Sequence, residues 1–127
     1  MIAGIGVDIV EHERIERIYE RYQDRFAEKI LSDEEMDDYR ESPYPVRLLA
    51  KRFAAKEAAT KALGTGMAQG VTFAMIAVKH DLHGKPLLTL SSKAAEIADK
   101  MGVESNWLSI SDEQHHSVAM VVLEKAG

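Results

Sequence analysis

No cysteine occurs anywhere in the 127 residues. That excludes disulfides, thiolate metal centres and a cysteine nucleophile outright. Long apolar runs are also missing, and nothing approaches the ~20 consecutive residues that a membrane helix needs. The opening Met1–Asp8 carries no basic segment and meets an acid after seven residues. A secretory leader is therefore not expected, and a cytoplasmic location is the default. Positive charge is in deficit: the formal net charge of -5 argues against broad nucleic-acid binding. Repeats, linkers and low-complexity segments are absent as well. What remains is 46% hydrophobic and 29% charged, which places the chain among soluble globular proteins. Its length fits one domain over 1–127.

The stretch Arg52–Gly66 organises the rest. It is the second half of a helix predicted from about Val46, after the breaker Pro43-Tyr44-Pro45. Alanine dominates it, and Gly64 stands where a left-handed cap ends a helix. Leu49, Phe53, Glu57 and Lys61 follow at i, i+4 spacing, so an apolar seam runs into a carboxylate and then an ammonium. Two readings are open. Glu57 and Lys61 are a solvated pair worth about 0.2–0.5 kcal/mol. Alternatively, the seam carries Glu57 into a half-buried site where a metal supplies the missing cation and Lys61 holds a phosphate.

Ile2–Val10, apolar and β-branched around Gly4 and Gly6, predicts a strand buried on both faces. Asp8 is its one charge, either a cap or wet strand end or a functional acid. Ile15, Ile18, Tyr19, Tyr22 and Phe26 predict an amphipathic helix from about Glu11 to Phe26. Arg14, Arg17, Arg21 and Arg25 form a basic stripe along it. The stripe is a solvated face partnered by Glu13, Glu16 and Glu20, or a docking surface for an acidic helix. Ser32-Asp33-Glu34-Glu35 reads as a capping box opening a short acidic helix, taken as surface without chemistry. Gly64–Gly70 is a glycine-rich loop following Lys61 directly. Ala74–His80 and Leu87–Leu90 predict a hairpin across the turn Asp81–Pro86. Ser91 or Ser92 then caps a helix to about Met101. Trp107–Ser111 and Ser117–Leu123 close the chain as two strands around a polar turn. In that turn His115 and His116 are adjacent and read as surface residues. The order predicts an α+β fold with a mostly antiparallel sheet and a long central helix.

Several of these pieces coincide with one family. Gly6-Val7-Asp8-Ile9-Val10 and Arg52-Phe53-Ala54-Ala55-Lys56-Glu57-Ala58 resemble the two signature motifs of the 4'-phosphopantetheinyl transferases. Lys61–Gly66, Gly84-Lys85-Pro86 and the strand after Ser109-Ile110-Ser111 match in the same order, and the short chain is similar to the holo-acyl-carrier-protein synthase type. The resemblance implies a 4'-phosphopantetheinyl transferase-like fold. It also implies transfer of 4'-phosphopantetheine from coenzyme A to a serine of apo acyl carrier protein, releasing adenosine 3',5'-bisphosphate. It assigns Mg²⁺ to Asp8 and Glu57, and Lys61 to the pyrophosphate and the catalytic proton or leaving-group charge. Coenzyme A contacts fall to Lys61, Gly64, Thr65, Gly66, Lys85 and Pro86, and a homotrimer with interfacial active sites is implied. An acidic carrier gives the stripe a partner, Arg14 and Arg21 foremost, then Arg17 and Arg25. The chain departs from many relatives in having Asp112 where they have histidine. That leaves Asp112, Glu113, His115 or a metal-bound water activated by Glu57 to accept the serine proton, the last being favoured. Two rivals stand beside this reading. One is a Mg²⁺-dependent nucleotide or pyrophosphate hydrolase using the same three residues. The other is a non-catalytic carrier-protein or nucleotide-binding module.

Overall fold

The computed structural model describes residues 1–127. A strand (β1, Ile2–Glu11) leads into four helices: α1 (His12–Tyr22), α2 (Asp24–Ile30), α3 (Asp33–Glu41) and α4 (Pro45–Leu63). A 3₁₀ turn at Phe73–Met75 precedes β2 (Ile76–His80) and β3 (Pro86–Leu90), followed by α5 (Ser92–Lys100), β4 (Val103–Asp112) and β5 (His116–Lys125). Both sheets are antiparallel, one in the order β1-β5-β4 and the other the β2-β3 hairpin. The expected α+β fold is the observed one.

Helix α4 is the axis, and its alanines explain how it sits. Ala54, Ala55, Ala58, Ala59 and Ala62 are buried, so the helix backbone can come close to the three-stranded sheet. Strand β1 answers with glycines. A Cβ on Gly6 would stand 1.9 Å from the Ala58 carbonyl oxygen, and one on Gly4 2.1 Å from that of Ala62. No side chain fits there. Pro45 opens α4, and Gly64 ends it in the left-handed region at φ 79°.

Three expectations need correction. β1 is buried on one face only: Ile5, Val7 and Ile9 are 56%, 53% and 62% exposed. The register sets Ile5 and Val7 opposite Val122 and Met120, with Trp107 beyond Val122, so the outer face of the sheet is an apolar field. The helix expected through Phe26 breaks at Gln23, whose φ of 50° turns the chain so that Phe26 enters the core from α2. Neither glycine nor proline marks that break.

Helix α3 is the third correction. Its capping box is present, but Glu35, Met36 and Tyr39 are buried. Glu35 Oε1 accepts from the Ser32 N–H at 3.0 Å and from Lys56 Nζ at 2.6 Å, while Oε2 accepts from Arg52 Nη1 at 3.1 Å. Lys56, fully buried, also donates to the Phe73 carbonyl at 3.1 Å. Burial pushes the Lys56 pKa down, Glu35 opposes that, and Arg52 adds to it. A carboxylate read as surface therefore holds two cations of the central helix in place.

Candidate active site

The i, i+4 line on α4 is a gradient from core to water. Leu49 is fully buried, Phe53 and Glu57 are half-buried, and Lys61 is exposed. Asp8 lies on the inner face of β1, between buried Gly6 and Val10, and the glycine contact brings it beside the same helix. Lys61 Nζ donates to Asp8 Oδ1 and to the Val7 carbonyl, each at 3.0 Å. The solvated Glu57–Lys61 pair is not formed; Asp8 takes the lysine instead. Asp8 caps no helix, since Glu11 holds the N-cap of α1.

Glu57 is the electrostatically loaded residue. Burial holds its carboxyl above the usual glutamate range, and the charge of Asp8 adds to the rise. Lys61 and Arg14 pull the other way. Two carboxylates that repel each other, open to solvent on the Lys61 side, form a site that favours an added cation. No third histidine, aspartate or glutamate joins them.

Arg14 ties this pair to the basic stripe. Its guanidinium lies 5.6 Å from the Phe53 ring centroid, one helical turn from Glu57. Arg14, Arg17, Arg21 and Arg25 are all exposed, and Glu13, Glu16 and Glu20 form no ion pair with them. Beside the stripe a cavity of about 510 Å³ is walled by Ile18, Tyr22, Phe26, Phe53 and Phe73, with Arg25 and Lys29 among its lining. Residue spacing revealed the arginines but not this cavity, which needs α1, α2 and α4 in place together.

The loop after Lys61 is built differently from a phosphate cradle. The Gly64 N–H donates to the Lys61 carbonyl, and those of Thr65 and Gly66 to the Thr60 carbonyl, so these amides cap α4. Gly64 and Gly66 leave open space where a Cβ would be. Pro86 lines a second cavity of about 360 Å³, with Leu48, Ile110, Lys51, Arg52, His80 and Asp112. Lys85 turns away from it, its Nζ 5.1 Å from the Trp107 ring centroid. Asp112 in turn accepts from Arg47 at 3.1 Å through Oδ2. Around α4, at 100° per residue, Leu48 and Arg52 point about 180° and 140° from Glu57. The two sites thus lie on different sides of one helix.

The family model of the 4'-phosphopantetheinyl transferase superfamily matches residues 4–121, nearly the whole chain. The chain belongs to that superfamily. This transferase is 54% identical over 125 residues to the holo-[acyl-carrier-protein] synthase of Vibrio cholerae serotype O1, covering 98% of this chain and 99% of that one. Among solved structures it is similar to the holo-[acyl-carrier-protein] synthase of Neisseria meningitidis, at 42% identity and a TM-score of 0.92 over 98% of this chain and all of that one. A holo-(acyl-carrier-protein) synthase from Bacillus anthracis in complex with CoA (3',5'-ADP) matches at 39% identity and a TM-score of 0.82 over 99% of both chains. The transferase motifs coincide with the geometry: the first places Asp8, and the second places Glu57 on α4.

Proposed function

We propose that this transferase moves 4'-phosphopantetheine from coenzyme A to a serine hydroxyl of an apo acyl carrier protein, at a Mg²⁺-assisted site of Asp8, Glu57 and Lys61. The observation that carries it is the meeting of a charge-strained carboxylate, Glu57, with the Asp8–Lys61 pair on the glycine-tight seam of β1 and α4. Two carboxylates without a third protein ligand suit Mg²⁺, which typically takes one or two acids and fills its remaining positions with water and phosphate oxygens. Bound there, it would supply positive charge against the pyrophosphate.

The chain's own groups account for the rest. The serine oxygen attacks the phosphorus that bears pantetheine. The bridging bond to the adenosine phosphate breaks, and adenosine 3',5'-bisphosphate leaves. Lys61, anchored at Val7 and Asp8, meets the charge that develops on the departing phosphate. Glu57, the half-buried carboxylate beside Asp8 and Lys61, is placed to take the serine proton, directly or through a water. Glu113 is a poorer base, since hydrogen bonds from His116 and the His115 backbone lower its pKa. Asp112 is committed to Arg47.

Unpaired arginines beside an apolar cavity suit an acidic carrier helix that inserts an apolar side chain. The adenosine end, with its 3'-phosphate, matches the cavity of Lys51, Arg52, His80, Pro86 and Ile110. That cavity lies on the other side of α4 from Glu57. A second copy therefore provides it, and the exposed apolar face of β1, β5 and β4 is the surface on which a homotrimer would form.

The test is the intact mass of an apo acyl carrier protein incubated with this protein, coenzyme A and Mg²⁺, with and without EDTA. A phosphopantetheine gain abolished by EDTA is expected. No gain across several apo carriers, with folded protein, would overturn the reading. Adenosine bisphosphate released without a carrier would point to hydrolysis instead.

A further inference from the structure

The 360 Å³ cavity has one acid among its lining residues, Asp112. Arg52, in the lining, and Arg47, bound to the lining residue Asp112, already have carboxylate partners. Arg52 is held by Glu35 at 3.1 Å and Asp38 at 3.3 Å, and Arg47 by Asp112 at 3.1 Å. Lys51 has no such partner. Glu35 is sealed against Arg52 at 1% exposure, and Asp38, 55% exposed, stands outside this cavity's lining; the Arg47 pair is open, at 44% and 28%. Asp112 is therefore the one carboxylate here that an arriving anion can both meet and displace.

We propose that Asp112 is a specificity-determining residue that weakens the hold of this cavity on a 3'-phosphate by occupying Arg47. The inference rests on the coenzyme A reading above. A phosphate entering beside Lys51 meets the Asp112 carboxylate directly and must break or share its bond to the Arg47 guanidinium to reach that charge. Both effects oppose binding. The consequence falls on release. The 3'-phosphate takes no part in the bond changes, and substrate and product carry it alike, so tight binding would lower KM without raising kcat and would retain the product. An internal anion that rivals the phosphate limits that retention.

The variants are Asp112→Asn, which keeps the shape without the charge, and Asp112→Ser as a second neutral replacement. Calorimetry on the whole protein would measure adenosine 3',5'-bisphosphate against adenosine 5'-monophosphate, which lacks the 3'-phosphate. Both variants are expected to bind the bisphosphate about three- to tenfold more tightly, with the monophosphate unchanged. Inhibition by the bisphosphate product should strengthen by the same factor, and adding Arg47→Met should remove the gain. An unchanged ratio between the two nucleotides would overturn the proposal. Weaker bisphosphate binding would overturn it too, by showing that Asp112 orients Arg47 for the phosphate. If the unaltered protein binds neither nucleotide, the coenzyme A reading itself fails, and this inference with it.

Discussion

Glu57 carries its functional strain as a stability cost. Its native pKa lies above the ordinary value, because burial and Asp8 both favour the protonated form. A carboxyl shifted upward stabilises the fold fully below its unfolded pKa. That contribution is lost as pH rises through the native pKa. Above that native pKa the ionised Glu57 is held at the expense of stability. Glu57→Gln should therefore raise Tm at pH 7.5, with the gain vanishing below about pH 4. Turnover should fall about 10²–10⁴-fold. Melting curves from pH 4 to 8 read the first effect, and a lowered Tm at pH 7.5 would contradict it. Arg14 gives the matching prediction for the partner side. Arg14→Glu is expected to raise KM for the carrier protein about tenfold or more while moving that for coenzyme A by less than about twofold. Equal changes in both would remove Arg14 from the docking surface. Asp8, Glu57 and Lys61 were legible as a set because motif order singled them out. The choice of Asp8 rather than Glu57 as Lys61's partner was not, since only the fold brings residues so distant in sequence within reach.

At the scale of elements, the seam of β1 and α4 does the positioning. Gly6→Ala puts a Cβ 1.9 Å from a backbone oxygen, which only movement of the helix can relieve. Urea unfolding should show a loss of about 1–3 kcal/mol. Activity should fall further than stability alone would require, because Asp8 rides on the strand and Lys61 on the helix. Unaltered stability in Gly6→Ala would mean that the contact is softer than its geometry. The glycines were visible in the sequence as sites of close approach, and the helix as the element they approach. The acidic α3 was misread for a reason that lies outside its own residues. Glu35 looks solvated among Asp33, Glu34 and Asp37, and only Arg52 and Lys56, 17 and 21 residues away, draw it inward. The break at Gln23 was equally hidden, since a left-handed glutamine leaves no local signature.

At the scale of the whole molecule, the sheet has an inner face given to α4 and an outer face on which Ile5, Val7, Ile9 and Met120 stay exposed, with Lys85 reaching over Trp107. β1 does alternate from Ile5 to Ile9, but its larger apolar side chains face outward while Gly6 and Asp8 face α4. That is the reverse of the usual apolar-in pattern, so the sequence did not show which side was which. Under the proposed homotrimer, Val7→Glu, opposite Met120, should leave the circular dichroism unchanged and give monomers in sedimentation where the unaltered protein gives trimers. Activity should then fall about a hundredfold or more, because on that reading the coenzyme A cavity comes from a second copy. A fully active monomer would sink the interfacial arrangement. The same sheet joins the two ends of the chain: the Met1 amino group donates to the Lys125 carbonyl, 124 residues away, at 2.8 Å. β1 is synthesised before every helix and the hairpin, yet β5, the strand that pairs with it, follows them. Until β5 has left the ribosome, Asp8 belongs to an unpaired apolar strand with no sheet to hold it against α4. The nascent chain can form its helices early, but it should be unable to modify a carrier protein until β5 has emerged and paired with β1.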